Sequence, residues 1–222
     1  MPTYYPMMVD LAGRRCLVVG GGRVAERKVA LLLEAGADVA VVSPVVTPRI
    51  ADLATRGAIR LARRTVRPAD LDRVFLAFAA TDDAEVNRGV AREVRSAGGL
   101  VNVADAPEAC DFHVPSVVRR GDLTIAISTG GGSPALAKRL RQRLEATIGP
   151  EYEAFLAALR ELRARAKEVI ADPAERQALF RRAADSDLFE HASRGDKAAV
   201  AARISELLQR TPRSVPGCPR GG

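Results

Sequence analysis

A glycine-rich segment near the N-terminus has the spacing of a phosphate-binding turn. The run Gly20-Gly21-Gly22-Arg23-Val24-Ala25 follows an apolar stretch over 16–20 and begins an amphipathic helical pattern over 24–35. In a G-x-G-x-x-A turn the first glycine permits the bend, the second lets a pyrophosphate approach, and the helix N-terminus stabilises the anion. A plain glycine-rich βα turn is the alternative. The flanking strand and helix favour a dinucleotide site at Gly20, Gly21, Gly22, Arg23, Val24 and Ala25.

The end of the second apolar stretch bears on which dinucleotide binds. An acidic residue usually ends this strand and binds the ribose hydroxyls of NAD. Here the strand expected over 38–43 ends in Ser43, Pro44 and Val45. Ser43 is a candidate for hydrogen bonding to a ribose. Arg49 is a candidate for binding a 2′-phosphate, with a solvated helix arginine as the alternative. Charge alone therefore makes no choice between NAD and NADP.

Two later strands are expected to end in polar side chains. Ligands of open α/β sheets bind outside the carboxyl ends of the strands, so these side chains face a crevice. Asp105 is expected to end the fifth strand, partly desolvated by apolar neighbours and suited to proton transfer, with a turn-capping aspartate as the alternative. Thr81 ends the fourth strand and lines the crevice, or belongs with Asp82 and Asp83 to a helix cap. Capping is the favoured role for the two aspartates.

Three residue types that can bind metals, namely Cys, Asp and His, lie close together in the segment Cys110-Asp-Phe-His113. These ligands are too few and too closely spaced for a structural zinc site. We therefore expect no metal site, and we expect His113 and His191 to have no catalytic role.

A cluster of basic residues follows Pro134 on a predicted helix, namely Lys138, Arg139, Arg141 and Arg143. Two of them share a face as like charges at i, i+4, which by itself stabilises nothing. The cluster is either a solvated helix face or a site for carboxylates of a substrate. Arg119 and Arg120, at a nearby turn, would add to such a site.

The elements that position these residues alternate in the first half of the chain, as in parallel βαβ units. Strands are predicted over 16–20, 38–43, 59–63, 74–80 and 100–105, and helices over 24–35 and 82–97. We expect the first helix to turn Glu26, Arg27 and Lys28 outward and to end at Gly36. The pattern predicts an α/β fold with a Rossmann-like, doubly wound parallel sheet.

In the second half of the chain the spacing of the apolar residues changes. A β-hairpin over 116–128 precedes a loop to Pro134, where Ser133 is the expected N-cap, and the chain is then helical to about residue 210. The sequence predicts four parts: a Rossmann domain over 1–113, a dimerisation hairpin and helix over 114–148, a helical C-terminal domain over 149–210, and a disordered tail over 211–222. The hairpin residues expected at the dimer interface are Val117, Leu123, Ile125 and Ile127.

Composition excludes several classes of protein. With 47% hydrophobic and 27% charged residues, the 222-residue chain has the composition of a globular protein. No apolar run approaches the roughly 18 to 20 residues that a membrane span needs. The net charge of +7 is compatible with nucleic acid, but 4% aromatic residues and no Trp disfavour stacking on bases. Three cysteines without CxxC spacing indicate no disulfide framework and a cytoplasmic location.

Several segments in order carry a resemblance to a known family. The run 16–28 around the glycines is followed by Leu33-Glu-Ala-Gly-Ala37, Ala79-Ala-Thr-Asp-Asp83-x-x-Val-Asn87, Asn102-x-x-Asp-Ala-Pro107 and Ser128-x-Gly-Gly-x-Ser-Pro134. Together they resemble the precorrin-2 dehydrogenases of sirohaem synthesis, which occur alone or as the N-terminal half of sirohaem synthases. The resemblance covers residues 4 to about 148.

The resemblance implies a function and a set of partners. Precorrin-2 would be oxidised to sirohydrochlorin with NAD, which is expected to be preferred over NADP. Some members of the family also insert Fe²⁺ into sirohydrochlorin. It implies a homodimer, Asp105 as the key carboxylate, and an adenosine site at Ser43, Pro44 and Val45. The tetrapyrrole has eight carboxylates, which gives the basic helix a partner. The substrate-binding residues would then be Ser128, Thr129, Gly130, Lys138 and Arg139.

Departures from the family and rival classes leave alternatives open. The family often has a second serine where this chain has Thr129, which keeps a hydroxyl. A stand-alone form is expected, since 222 residues leave no room for a methyltransferase half. Short-chain dehydrogenases need Tyr-x-x-x-Lys, and none of the three tyrosines has Lys four residues on. The remaining alternative is a non-enzymatic Rossmann module that senses nucleotides.

Overall fold

The computed structural model describes residues 4–209, which form two compact units divided between Val114 and Pro115. The predicted tail over 211–222 lies outside the described residues. In the part of the chain that the structure describes, no helix has the length and hydropathy of a membrane span.

The first unit is built on a five-stranded parallel sheet. Its strands are β1 (Arg15–Val19), β2 (Asp38–Val42), β3 (Arg60–Ala62), β4 (Leu76–Ala79) and β5 (Leu100–Val103). Their order across the sheet is β3-β2-β1-β4-β5, and every neighbouring pair is parallel. The strands β1 and β4 are buried almost throughout, because both faces of a parallel sheet are covered. The predicted doubly wound Rossmann-like sheet is confirmed.

Three helices connect the strands of the first unit: α1 (Arg23–Glu34), α2 (Pro48–Thr55) and α3 (Ala84–Ser96). Single 3₁₀ turns over Pro68–Asp70 and Pro107–Ala109 precede β4 and follow β5. Helix α1 ends before Gly36, which takes the left-handed conformation at φ +71°. Apolar side chains pack on both faces of the sheet, so the loops at its carboxyl edge rest on a rigid layer.

As far as residue 209, the second unit consists of an antiparallel hairpin and five helices. The strands are β6 (Ser116–Arg120) and β7 (Leu123–Ile127). The helices are α4 (Pro134–Thr147), α5 (Glu151–Val169), α6 (Pro173–Ala184), α7 (Leu188–Ser193) and α8 (Lys197–Gln209). Ser133 is the N-cap of α4, as predicted, and accepts a hydrogen bond from the Leu136 N–H. The short helix α7 was not predicted separately from the helices beside it.

The outward orientation predicted for Lys28 is wrong. Its side chain is half-buried, and Nζ lies 4.9 Å from the centre of the Phe78 ring. Burial, followed by the charge of Arg27, lowers the pKa of Lys28. The long aliphatic stem of a lysine can cover apolar surface while the ammonium group contacts an aromatic face. A helical-period pattern assigns such a residue to the solvent face and misses the packing.

Candidate functional site

The first glycine of the glycine loop (residues 20–25) is required by the sheet itself. Gly20 follows β1 with φ +126°, a conformation that other residues rarely adopt. A Cβ at this position would lie 2.2 Å from the carbonyl oxygen of Ala80, which follows β4. The Gly20 N–H donates to the Val42 carbonyl at 3.0 Å. The glycine loop is therefore held against the ends of β2 and β4.

The second and third glycines differ in what surrounds them. A Cβ on Gly21 would lie 2.0 Å from the Val45 carbonyl oxygen, so the neighbouring loop packs directly on this glycine. A Cβ on Gly22 would meet nothing within 4 Å, and φ −81° is accessible to any residue. The protein's own packing thus explains Gly20 and Gly21 but not Gly22. Gly22 is the N-cap of α1, where a small residue leaves the helix N-terminus open to an anion.

The rest of the glycine loop fits this arrangement. Arg23 is exposed and Val24 is half-buried, and both lie in the first turn of α1. Ala25 is fully buried, which allows α1 to pack closely on the sheet, as the motif predicts. The open space at Gly22 and the first turn of α1, which no side chain caps, fit the pyrophosphate of a dinucleotide.

The loop after β2 places Ser43, Pro44 and Val45 beside the glycine loop. Ser43 is buried and its hydroxyl donates to the Val45 carbonyl at 2.7 Å, while Pro44 and Val45 are exposed. The Thr47 N–H donates to the Gly21 carbonyl at 2.9 Å, which fixes this loop to the glycine loop. The exposed side chains available to an adenosine are thus those of Pro44 and Val45.

An acidic side chain reaches this loop from α1. The Glu26 carboxylate accepts a hydrogen bond from the Thr47 hydroxyl at 2.6 Å and lies 4.0 Å from the Arg49 guanidinium. Arg49 is exposed, near the start of α2. The missing acid at the end of β2 therefore has a counterpart on α1 beside the same loop, a feature that the sequence pattern did not reveal.

The loop after β4 is fixed by Asn87, which was not singled out as a functional residue. The Asn87 side chain is buried. Its Oδ1 accepts hydrogen bonds from the Thr81 hydroxyl at 2.8 Å and from the Thr81 N–H at 3.2 Å. Its Nδ2 donates to the Thr81 carbonyl at 2.9 Å. Asp83 caps α3 through the N–H groups of Glu85 and Val86, as predicted, whereas the capping role also predicted for Asp82 is wrong, since Asp82 is exposed and precedes the N-cap. The hydroxyl of Thr81 is thus engaged within the loop.

Replacing Asn87 with Ala is expected to destabilise the first unit. The N–H and carbonyl of Thr81 would lose their partners in a partly buried loop, which costs about 1–3 kcal/mol in the free energy of unfolding. Denaturant unfolding of wild type and variant measures the difference. The control is Arg88→Ala, which replaces the exposed side chain next to Asn87 in α3. An Asn87→Ala variant as stable as the control would contradict this role.

Asp105 lies in a turn beyond β5 rather than within the strand. The strand ends at Val103, and Asp105 adopts φ +60°, a left-handed conformation that Asp tolerates better than most residues. The partial burial predicted for it is wrong, because its side chain is exposed. Among residues 4–209 no hydrogen-bond donor contacts its carboxylate. The turn therefore presents an unengaged carboxylate at the carboxyl edge of the sheet.

The segment after this turn is folded back along β5. The Asp111 carboxylate accepts from the Val101 N–H at 2.9 Å and from Arg95 Nε at 2.7 Å. The Asp111 N–H donates to the Val101 carbonyl at 2.8 Å. These contacts occupy the outer edge of β5, which would otherwise present free backbone groups. They also anchor the chain that follows Asp105.

The residues of the Cys110–His113 segment have separate partners. The Cys110 thiol faces the backbone of β5, whereas His113 Nε2 lies 2.7 Å from the Tyr4 hydroxyl with the two rings edge to face. In the described part of the chain, no three His, Cys, Asp or Glu side chains are grouped to hold a metal ion.

The predicted substrate-binding residues lie in the second unit. The Ser128 hydroxyl accepts from the Gly130 N–H at 3.2 Å, and the Thr129 hydroxyl accepts from the Ser133 N–H at 3.1 Å, so both shape the loop before α4. Lys138 and Arg139 are exposed on α4. Within residues 4–209 neither has an acidic partner, whereas Arg141 pairs with Glu145 at 2.5 Å. Lys138 and Arg139 thus present free cationic groups.

The structure brings one set of predicted residues together. The glycine loop, the Ser43–Val45 loop, Thr81 and Asp105 follow β1, β2, β4 and β5, and parallel strands end at the same edge of a sheet. Asp105 follows the edge strand, at the opposite side of the glycine loop from Ser43. A dinucleotide along this edge would reach from the Ser43–Val45 loop across the glycine loop toward Asp105.

Three family models match successive parts of the chain. An NAD(P)-binding model matches residues 7–116. The central region of sirohaem biosynthesis proteins matches residues 120–147. The sirohaem synthase dimerisation region matches residues 151–208.

Similar proteins and a similar solved structure agree with these models. The siroheme synthase of Methylobacillus flagellatus is 41% identical over 203 residues, which cover 91% of this chain and 44% of that protein. The siroheme synthase of Chromobacterium violaceum is 39% identical over 92% of this chain and 44% of that protein. The chain thus spans less than half the length of these relatives. The structure of SirC, a precorrin-2 dehydrogenase, superposes with a TM-score of 0.77 at 31% identity over 91% of this chain and 100% of that chain.

Proposed function

Since this chain belongs to the family of precorrin-2 dehydrogenases and sirohaem synthases, we propose that it oxidises precorrin-2 to sirohydrochlorin with NAD⁺. The observation that carries the proposal is the shared edge of the sheet. There the open helix N-terminus at Gly22 and the exposed carboxylate of Asp105 follow strands of one parallel layer.

The residues of the first unit hold the dinucleotide. Bound NAD⁺ supplies an acceptor for the hydride that leaves the macrocycle. The backbone N–H groups of Gly22, Arg23 and Val24 bind its pyrophosphate at the start of α1. Pro44 and Val45 would contact the adenosine, and the loop at Thr81, fixed by Asn87, would border the rest of the dinucleotide along the same edge of the sheet. Glu26 and Arg49 lie 4.0 Å apart beside the adenosine loop, so their charges offset each other, and the preference for NAD over NADP rests on the family resemblance.

Asp105 takes the proton that is released when a hydride leaves the macrocycle. The carboxylate is exposed and has no hydrogen-bond donor among residues 4–209, so it is available to accept this proton. General-base help of this kind contributes about 10²–10⁴ in rate. The contacts at the outer edge of β5 are made by Asp111, so the Asp105 carboxylate is not engaged in them.

The second unit recognises the acidic substrate. A tetrapyrrole with eight carboxylates matches the unpaired cations of Lys138 and Arg139 on α4. The loop of Ser128, Thr129 and Gly130 offers hydroxyl and backbone groups to the same carboxylates. Insertion of Fe²⁺ into sirohydrochlorin, which the resemblance also implies, stays a prediction. It is measured by supplying Fe²⁺ to the sirohydrochlorin product and following formation of sirohaem.

Turnover separates the enzyme from a nucleotide-sensing module. Purified protein is given NAD⁺ with and without precorrin-2, and NADH formation is followed. Repeated turnover that requires precorrin-2 supports the proposal. NAD⁺ binding with no NADH formed supports the sensing alternative instead.

We expect the protein to be a homodimer formed through the second unit. Residues 151–208 match a dimerisation region, and the hairpin side chains of Val117, Leu123, Ile125 and Ile127 are only half-buried within this chain. Leu123, Ile125 and Ile127 share one face of the hairpin, which a partner would cover. Val117 pairs with Ala126 and lies on the opposite face, so the single interface predicted for all four residues is wrong for Val117. Sedimentation velocity at micromolar concentration is expected to give the mass of two chains. A monomer under these conditions would contradict the prediction.

A further inference from the structure

One thiol contacts both ends of the turn that carries Asp105 (residues 103–106, the Asp105 turn). Cys110 Sγ accepts a hydrogen bond from the Val103 N–H at 3.2 Å. It also lies 3.3 Å from the Val103 carbonyl oxygen and 3.4 Å from the Ala106 carbonyl oxygen. Val103 is the first residue of the turn and Ala106 the last, so a single side chain links the two ends of the loop that presents Asp105.

The thiol is itself held in place. Asn102 Nδ2 donates to the Phe112 carbonyl at 3.0 Å and lies 3.4 Å from Cys110 Sγ. Burial raises the pKa of Cys110, so the group is a neutral thiol that can both donate and accept. Because the Cys110 thiol is neutral, it contacts the backbone of the turn without adding a charge near the Asp105 carboxylate.

The backbone of the Asp105 turn needs such support. A residue other than glycine is strained at φ +60° and keeps that conformation only where its surroundings hold it. Within residues 4–209 the Asp105 carboxylate has no hydrogen-bond donor that would fix it directly. The turn is held by backbone hydrogen bonds of the flanking residues, from the Ala104 N–H to the Ala79 carbonyl and from the Ala109 N–H to the Ala106 carbonyl, both at 2.9 Å. Cys110 adds the side-chain contacts that link Val103 to Ala106.

We propose that Cys110, held by Asn102, is a positioning residue for Asp105: its thiol fixes the turn and so sets the place of the carboxylate in the reaction. The inference rests on the proposed function, because it takes Asp105 as the proton acceptor. It accounts for Cys110 in the Cys110–His113 segment, for which no metal site was expected and which the reaction does not otherwise use.

The test compares two replacements of Cys110. Cys110→Ala removes all contacts of the thiol and is expected to lower kcat about tenfold, because a displacement of about 1 Å of a reacting group costs up to 10²-fold. The Kd for NAD⁺ is expected to stay near the wild-type value, because the glycine loop is on other strands. Cys110→Ser keeps a donor and an acceptor and is expected to recover most of kcat.

Cys16→Ala is the matched control. Cys16 is the other described cysteine of the first unit, fully buried on β1, and burial raises its pKa to about 11. Its replacement is expected to lower stability without lowering kcat of the folded protein. A wild-type kcat in Cys110→Ala, or an equal loss of kcat in Cys16→Ala, would overturn the positioning role.

Asp105→Asn, measured in parallel, separates this inference from the proposed function. If Asp105→Asn loses turnover while Cys110→Ala is fully active, the positioning role fails and Asp105 stays the proton acceptor. If Asp105→Asn turns over at the wild-type rate, the assignment of Asp105 under the proposed function fails instead.

Discussion

Replacement of Asp105 with Asn is expected to lower kcat by about 10²–10⁴, the usual contribution of a positioned general base. Asn fits the left-handed backbone at φ +60° as well as Asp does, so the turn keeps its shape and only the charge is lost. The affinity for NAD⁺ is expected to remain close to that of wild type. Steady-state NADH formation gives kcat, and NAD⁺ titration of the same preparation gives Kd.

Two variants control for the position and the type of residue. Asp82→Asn removes an exposed carboxylate that follows β4 at the same edge of the sheet, and is expected to keep near wild-type turnover. His113→Ala removes a ring whose Nε2 is hydrogen-bonded to the Tyr4 hydroxyl. This variant is expected to affect the rate far less than Asp105→Asn. An active Asp105→Asn variant beside an inactive His113→Ala variant would show that the base has been wrongly assigned.

Replacement of Gly22 with Asp is expected to abolish NAD⁺ binding in a folded protein. The new side chain has room, since a Cβ on Gly22 meets nothing within 4 Å, so the fold tolerates it. It would place bulk and negative charge at the N-terminus of α1, where the pyrophosphate must approach. An aspartate is also a good N-cap residue, so it would compete for the same N–H groups. Calorimetric titration with NAD⁺ measures the loss.

Gly89→Asp is the matched control for the added charge. Gly89 lies within α3 of the same unit, and a Cβ there also meets nothing within 4 Å. This variant is expected to bind NAD⁺ as wild type does. Unchanged NAD⁺ affinity in Gly22→Asp would remove the glycine loop from the cofactor site.

The elements that the sequence predicted well have a strong local cause. The apolar β-branched runs before Gly20 and Ser43 became β1 and β2, because a strand buried on both faces is apolar at nearly every position. Ser133 followed by Pro134 predicted the start of α4 for a similar reason: an N-cap hydroxyl and a proline at the first helical position are local signals.

The features that the sequence missed depend on contacts between distant segments. Lys28 was placed in solvent because nothing in its own helix indicates the Phe78 ring beside it. Asp105 was placed within a strand because its neighbours are apolar, whereas its left-handed backbone ends the strand at Val103.

Asn87 did leave a signal in the sequence. It shares the buried stripe of α3 with Val90, Ala91 and Val94, at the spacing i, i+3, i+4 and i+7. A single amide on an otherwise apolar face indicates a buried polar group, which must find hydrogen-bond partners inside the protein. Its partner, the backbone at Thr81, could be identified only from the structure.

The stoichiometry of the reaction tests the central claim most directly. Purified wild-type protein is given precorrin-2 and excess NAD⁺ under anaerobic conditions, and NADH and sirohydrochlorin are quantified in the same sample. A dehydrogenase that transfers one hydride per substrate is expected to form the two products in equal amounts over many turnovers, while Gly22→Asp and Asp105→Asn form little of either. Sirohydrochlorin without matching NADH, or NAD⁺ bound but never reduced, would contradict the account.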